Sequence, residues 1–314
     1  MSRTKPAAAP ARRKPKFAPV TLSEQDGVRY LHFGTEWIQG AMRLRKPDWI
    51  ELEYAQQMMG WMLFLDQPAH IVQLGLGTAA LTKACKRWYL DAQVTAVELN
   101  PSVIDVCRSM FKLPPDDDKL SVLEMDAMDF VQDPRHRRKV DVLQIDLYDA
   151  TARGPVLDTP EFYRACANCL TPNGIATINL FGDHPSYKKN LAAIYPAFDA
   201  VIALPEVHEG NIVVIAFKRV PELDFADLYE RAAVIREGLA TYGDCELFVL
   251  TERRGLLARI GEIAPDVVLM DLGNPSRDVL EEYFAVSRVL DRPIAMFVDE
   301  SDEESIAASV EAGV

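Results

Sequence analysis

The sequence has few cysteines and no long hydrophobic segment, and both absences restrict the class of protein. The five cysteines among 314 residues are scattered and odd in number, unlike the disulfide framework of a small secreted protein. The longest apolar stretch, around residues 58–65, contains a glycine and falls short of the roughly 18 to 20 residues that a membrane span needs. The N-terminus lacks the apolar segment of a secretory signal. We therefore expect a soluble, cytoplasmic protein without a membrane partner.

Charge is unevenly distributed along the chain. The formal net charge is −13, and hydrophobic residues make up 49% and charged residues 26% of the sequence, as in a globular protein long enough for two domains. Residues 1–20 are basic and rich in alanine and proline, so we expect a disordered tail. The remainder is acidic, which disfavours nucleic acid and favours cationic ligands. No set of histidines, cysteines and carboxylates has metal-ligand spacing, so no metal is expected.

The hydrophobic pattern predicts an α/β architecture. Residues 28–33 and 36–44 alternate as in a β-hairpin, and residues 49–65 are typical of a helix. From residue 70, strands and amphipathic helices repeat, as in a parallel sheet with helices on both faces. The predicted strands are 70–75, 93–98, 120–124, 140–146, 174–180, 198–204 and 211–217. Pro101 is expected just inside one helix and Gly174 just beyond the end of another.

A second, smaller α/β unit is predicted after a helix over residues 224–241. Its expected strands lie near 246–250, 266–271 and 293–298, and its expected helices near 253–263, 275–289 and 302–312. The predicted division is therefore a tail over 1–20, a main domain over 21–242 and a second unit over 243–314.

Polar residues and glycines follow the first four strands of the main domain. They are Gly75 and Gly77, then Glu98, then Asp126 and Ala127, and finally Asp146 and Asp149. Open parallel sheets bind ligands beyond the carboxyl ends of their strands. Glu98 is placed to accept hydrogen bonds from ribose hydroxyls, and Asp126 from an adenine amino group. A dinucleotide fold also fits the glycine turn, and helix N-caps or solvated turn acids are the alternative explanation of the carboxylates.

Several motifs in this order resemble one known family. They are Trp37-Ile38-Gln39-Gly40-Ala41-Met42-Arg43-Leu44, Leu52-Glu53-Tyr54, Gly75-Leu76-Gly77, Val97-Glu98-Leu99-Asn100-Pro101, Asp126-Ala127 and Asp146-Leu147-Tyr148-Asp149. Over about residues 22–242 the chain resembles the spermidine synthase-like proteins, polyamine aminopropyltransferases with the class I methyltransferase (Rossmann-like) fold. The resemblance implies a seven-stranded sheet and an N-terminal β-hairpin that supports oligomerisation, here as a homodimer. It also implies decarboxylated S-adenosylmethionine as co-substrate and no metal.

The resemblance also implies a role for each motif residue. Gln39, Gly75, Gly77, Glu98, Asp126 and Ala127 would bind the aminopropyl donor, Tyr54 and Asp149 would hold the polyamine, and Asp146 would be the catalytic base. The sequence departs from the family at Thr78-Ala79-Ala80, where a longer glycine-rich loop carries an acid for the donor's amine. A second departure is Glu206-Val207-His208-Glu209-Gly210-Asn211, which replaces an aromatic acceptor-side motif.

The C-terminal part resembles an incomplete, partly flavodoxin-like receiver domain of antitermination regulators. Asp271 occupies the position of a phosphoacceptor at a strand end. The opening acidic cluster and the last strand of a receiver are missing, so the sequence favours a truncated interaction module, or a junction of two unrelated coding segments, over a phosphorylated switch.

Three alternatives to aminopropyl transfer stay open. The same fold, Glu98 and Asp126 would serve an S-adenosylmethionine-dependent methyltransferase. A non-catalytic sensor of nucleosides or polyamines, or an NAD-dependent enzyme, would use parts of the same site. His184 and His208 are interpreted as loop residues, and Cys166 and Cys169 as buried helix residues despite their CxxC spacing.

Overall fold

The computed structural model describes residues 17–149, 155–182, 184–207, 210–223, 225–240, 256–263, 268–273 and 294–298. Within these ranges no helix has the length and apolar character to cross a membrane. The first 16 residues of the predicted tail, the predicted strand 246–250, the predicted helices 275–289 and 302–312, and the predicted boundary after residue 242 lie outside the described residues.

The N-terminal part forms a three-stranded antiparallel sheet in the order β1-β2-β3. Its strands are β1 (Thr21–Gln25), β2 (Val28–His32) and β3 (Ile38–Arg43). The predicted hairpin corresponds to β2 and β3. Strand β1 was not predicted. All five of its residues are exposed, so its sequence lacks the alternation of apolar and polar residues that is typical of a half-buried strand.

The predicted helix over residues 49–65 is wrong in extent. The structure has a short helix α1 (Glu53–Gln57) and a separate 3-10 turn (Gly60–Leu63). The break follows from hydrogen bonding, since the carbonyl of Met58 accepts from the side-chain amide of Gln144 and Met62 N–H bonds to Met59 O. Tertiary packing of the methionine-rich segment overrides its helical propensity.

The predicted seven-stranded sheet is confirmed, in the order β6-β5-β4-β7-β8-β10-β9. Its strands are β4 (His70–Leu74), β5 (Gln93–Glu98), β6 (Leu120–Glu124), β7 (Val140–Ile145), β8 (Leu170–Phe181), β9 (Ala200–Ala203) and β10 (Asn211–Phe217). Strands β4 to β8 run parallel to one another, whereas β10 runs antiparallel to β8 and β9. Both faces are buried: Ile71 packs into one apolar cluster and the adjacent Val72 into another.

Helices connect these strands, and a last helix follows β10. They are α2 (Ala80–Trp88), α3 (Pro101–Met110), α4 (Ala127–Gln132), α5 (Pro160–Cys169), α6 (Ser186–Ile194) and α7 (Phe225–Ala240), with 3-10 turns at Pro134–His136 and Tyr195–Ala197. Pro101 begins α3 behind an Asn100 N-cap, as expected. Gly174 does not end a helix, because α5 ends at Cys169 and Gly174 lies in an irregular part of β8. A Cβ there would lie 3.0 Å from the Val140 carbonyl oxygen, so the glycine serves close strand packing.

Three elements are described in the C-terminal part. Helix α8 (Leu256–Ile263) precedes β11 (Val268–Gly273) and β12 (Ile294–Val298), which pair in parallel. These strands agree with the two predicted near residues 266–271 and 293–298. Asp271 lies within β11.

Candidate active site

A cavity of about 950 Å³ opens at the carboxyl ends of the central parallel strands. This is the edge at which α/β sheets bind ligands. All nine residues predicted for the site line it: Gln39, Tyr54, Gly75, Gly77, Glu98, Asp126, Ala127, Asp146 and Asp149. Phe17 and Ala18, which fall within the predicted tail, also line it. The parallel sheet thus brings together residues that are far apart in the sequence.

The glycine turn after β4 needs glycine for two physical reasons. Gly75 has φ +92° and Gly77 has φ +52°, both in the left-handed region. A Cβ on Gly75 would also lie only 2.0 Å from the backbone oxygen of Asp146. The following residue of the turn, Thr78, is buried and donates its hydroxyl to the Ala41 carbonyl in β3 at 3.1 Å. Thr78 therefore anchors the turn to the N-terminal sheet.

Glu98 supports the same turn with its carboxylate. Its Oε2 accepts from the Leu76 N–H at 3.0 Å and its Oε1 from the Asn100 N–H at 2.8 Å. Burial raises the pKa of Glu98 above its usual value, while these backbone hydrogen bonds lower it. A carboxylate has about four lone-pair sites, so both oxygens retain the capacity to accept from ligand hydroxyls.

Asp126 combines an N-cap position with a place on the cavity wall. It is the N-cap of α4, where its Oδ1 accepts from the Met128 N–H at 2.7 Å. It also lines the cavity next to the buried Ala127. The backbone amide fixes one carboxylate oxygen and thereby orients the other.

Asp146 lies at the centre of a hydrogen-bond network. Tyr54 Oη donates to its Oδ2 at 3.3 Å, and Asn179 Nδ2 donates to its Oδ1 at 2.9 Å. Burial raises the pKa of Asp146, and the two donors oppose that shift. A carboxylate with a raised pKa is a stronger base, and its position at the strand end exposes it to a bound ligand.

Asp149 and Gln39 are neighbours in the cavity wall. Asp149 is exposed, and its backbone carbonyl accepts from Gln39 Nε2 at 3.2 Å. This contact joins the loop after β7 to strand β3 of the N-terminal sheet.

Sequence reasoning missed Asn179 on β8 and Asn211 on β10. Asn211 Nδ2 donates to Asn179 Oδ1 at 2.9 Å, which orients the Asn179 amide towards Asp146. Both residues line the cavity. The available signal was a lone asparagine inside the apolar run Ile178 to Leu180, since a buried amide requires a hydrogen-bond partner.

The charge of the cavity wall is of one sign. Five carboxylates, Glu36, Glu98, Asp126, Asp146 and Asp149, contribute to it, and no lysine, arginine or histidine is among the described lining residues. The arrangement favours ligands that carry positive charge and disfavours those that carry a carboxylate or phosphate.

Among the described residues, the other conspicuous side chains of the sequence are not part of the cavity wall. His184 bonds to Ser186 in a loop, and His208 lies outside the described residues. Cys166 and Cys169 are buried in α5, and burial raises the pKa of both thiols, to about 11 for Cys169. Raised values make these thiols unreactive. No cluster with metal-ligand character occurs among the residues that the structure describes.

Comparison with solved structures supports the fold. A probable spermidine synthase from Corynebacterium glutamicum superposes with a TM-score of 0.57 at 19% identity, covering 74% of this chain and 95% of the other. Human Methyltransferase-like protein 13, in complex with SAH, superposes with a TM-score of 0.54 at 21% identity, covering 66% and 99%. The main domain therefore has the class I methyltransferase-like fold.

Comparison of sequences gives the family. A polyamine aminopropyltransferase of Neisseria meningitidis is 33% identical over 222 residues, which are 70% of this chain and 84% of that protein. One from Chromobacterium violaceum is 33% identical over 220 residues, with the same coverage. A model of the spermine/spermidine synthase domain matches residues 51–218. This chain belongs to the spermine/spermidine synthase domain family.

Proposed function

We propose that the protein is a transferase that moves an aminopropyl group from decarboxylated S-adenosylmethionine to a polyamine and releases methylthioadenosine. The observation that carries this proposal is the cavity wall, in which carboxylates occur without a basic side chain among the described residues. Both reactants are cationic. Ordinary S-adenosylmethionine adds a carboxylate, for which the described part of this wall has no cationic partner.

The proposed donor site uses the side of the cavity formed by β4, β5 and β6. Glu98 accepts the ribose hydroxyls, Asp126 with Ala127 faces the adenine, and Gly75, Gly77 and Gln39 border the aminopropyl arm. Asp149 and Tyr54 hold the polyamine. These assignments agree with the positions of the side chains around one cavity.

Asp146 is the proposed base. An alkylamine with a pKa of about 10 is protonated at neutral pH and must lose a proton before its nitrogen can attack carbon. Asp146 takes that proton, and the nitrogen lone pair forms a bond to the methylene carbon beside the sulfonium. The carbon–sulfur bond breaks, and its electron pair neutralises the sulfur. Alignment of the two reactants supplies much of the acceleration.

The proposal is tested by mass spectrometry of the nucleoside product. The full chain is incubated with either donor, with and without a panel of diamines and polyamines. Methylthioadenosine that requires both an amine and the decarboxylated donor supports the proposal. S-adenosylhomocysteine would make the protein a methyltransferase, and binding of donor without either product would make it a sensor.

A matched pair of variants assigns the product to this cavity. Asp146→Asn is expected to abolish most turnover, whereas Asp105→Asn, on the exposed face of α3, is expected to leave it unchanged. Equal activity of the two variants would refute Asp146 as the base. A homodimer and a cytoplasmic location stay predictions from the sequence.

A further inference from the structure

Gln144 is a buried amide that lies two residues before the proposed base. It is fully buried on β7. Because residues two apart in extended backbone share a face, its side chain points to the same side as that of Asp146, which directly follows the strand. An uncharged polar side chain in such a position is expensive unless all its polar atoms are paired. Its hydrogen bonds therefore indicate what it does.

The amide oxygen of Gln144 is held by its neighbours. Gln73, directly opposite on β4, donates its Nε2 to Gln144 Oε1 at 2.9 Å, and Cys85 Sγ donates to the same oxygen at 3.6 Å. The Thr82 hydroxyl donates to the oxygen of Gln73. These hydrogen bonds set the orientation of the Gln144 amide, because a flipped Gln144 would bring its Nε2 against the Nε2 of Gln73, two donors without an acceptor.

The amide nitrogen of Gln144 consequently faces the segment after α1. It donates to the Met58 carbonyl at 3.3 Å and lies 3.4 Å from the sulfur of Met59. Met58 is the C-cap of α1, and its N–H donates to the Tyr54 carbonyl at 2.9 Å. Gln144 thus binds the C-terminal end of the helix that carries Tyr54 through a hydrogen bond to its C-cap.

Helix α1 needs such a support. It has five residues, and its N-cap, Leu52, provides no side-chain hydrogen bond. A helix this short is not stable by itself, so tertiary contacts determine its position. The phenol of Tyr54 reaches Asp146 Oδ2 at 3.3 Å.

These contacts form a closed loop: Gln144 to Met58, Met58 to Tyr54, Tyr54 to Asp146, and Asp146 back along the chain to Gln144. We propose that Gln144, oriented by Gln73, is a positioning residue that fixes the Tyr54 hydroxyl against Asp146. This role rests on the proposed function insofar as Asp146 is the base. A purely structural amide would stabilise the fold without affecting Tyr54.

The test replaces both amides together, in Gln73→Leu/Gln144→Leu. Removing Gln144 alone would leave the Gln73 amide buried without its partner, whereas replacing both partners by apolar groups is often close to neutral for folding. Gln57→Leu is the control, because Gln57 lies on the same helix and donates to Pro205 O at 3.1 Å outside the loop of contacts.

The kinetic experiment measures whether the effect of the double variant on kcat depends on the Tyr54 hydroxyl. We expect the double variant to lower kcat about tenfold in the wild-type background, as for one lost hydrogen bond, and less than about twofold when Tyr54→Phe is already present. We expect Gln57→Leu to leave kcat unchanged. Equal losses with and without Tyr54→Phe would overturn the proposal, since Gln144 would then not act through Tyr54.

A spectroscopic readout does not need turnover. With 3-fluorotyrosine incorporated at the ten tyrosines, the ¹⁹F resonance of Tyr54 is identified by its loss in Tyr54→Phe. We expect this resonance to follow the titration of Asp146 in the wild type and to lose that response in the double variant. An unchanged titration would refute the positioning role, while absence of methylthioadenosine in the wild type would refute the proposed function alone.

Discussion

Gly75 lies so close to the backbone of Asp146 that no side chain fits between them. In Gly75→Ala the new Cβ would lie 2.0 Å from the Asp146 carbonyl oxygen, whereas real contacts of this kind stay above 3.0 Å. The two segments must therefore separate by about 1 Å, and a displacement of about 1 Å at a reacting group can lower the rate about 100-fold. The φ of +92° adds a conformational cost of about 1 to 2 kcal/mol for an L-residue.

Gly27 provides the control for this variant. It has φ +78° in the turn between β1 and β2, and a Cβ there would meet nothing within 4 Å. Gly27→Ala thus carries the conformational cost without the clash. We expect Gly75→Ala to lower kcat about 100-fold and Gly27→Ala to leave it unchanged, with both free energies of unfolding reduced in urea titrations. Full turnover by Gly75→Ala would refute the argument that this close approach positions Asp146.

Three further predictions concern buried ionisable groups. Asp146→Asn should lower kcat by about 10²- to 10⁴-fold and stabilise the fold at neutral pH. Because the folded pKa of Asp146 is raised, the wild type loses stability as pH rises from about 4. In urea titrations the free energy of unfolding of Asp146→Asn should therefore exceed that of the wild type by an amount that grows with pH. A difference that does not change with pH would contradict this. Glu98→Gln places an amide nitrogen against a backbone N–H group that needs an acceptor. Calorimetry should show about tenfold weaker binding of decarboxylated S-adenosylmethionine and unchanged binding of the polyamine. Burial lowers the pKa of Lys83 to about 8, so wild-type stability should gain about 3 kcal/mol between pH 8 and 10.5, and Lys83→Met should lack that gain.

The main sheet was predictable because its central strands are buried on both faces and are therefore nearly continuous apolar runs. The run Ile71 to Leu74 has this property apart from Gln73, which is satisfied inside the core by Gln144. Strand β1 and the end of α1 were not predictable in the same way. The first has no buried face, and the second ends where a side chain distant in the sequence captures the Met58 carbonyl.

The residues of the candidate site also differ in how far the sequence predicts them. Glu98, Asp126 and Asp146 each lie at the carboxyl end of a parallel strand, and the geometry of parallel sheets brings such positions together whatever the loops do. Asn179 lies in the strand that follows β7 in the sheet, and Asn211 arrives by an antiparallel strand. Their partnership depends on the register between β8 and β10, which the local sequence pattern does not specify.

The way in which carboxylates are held differs between the surface and the cavity. Surface acids pair with cations, as Glu51 does with Arg43 and Asp48 with Arg87. In the cavity, Glu98 and Asp126 accept from backbone amides, and Asp146 accepts from a phenol and an amide. Neutral donors stabilise a carboxylate without cancelling its charge, and the low local dielectric strengthens the field that remains. A cationic ligand would supply the compensating charge that the described part of the wall lacks. The acids that the sequence predicts would therefore favour the binding of the two proposed reactants, a sulfonium and an ammonium.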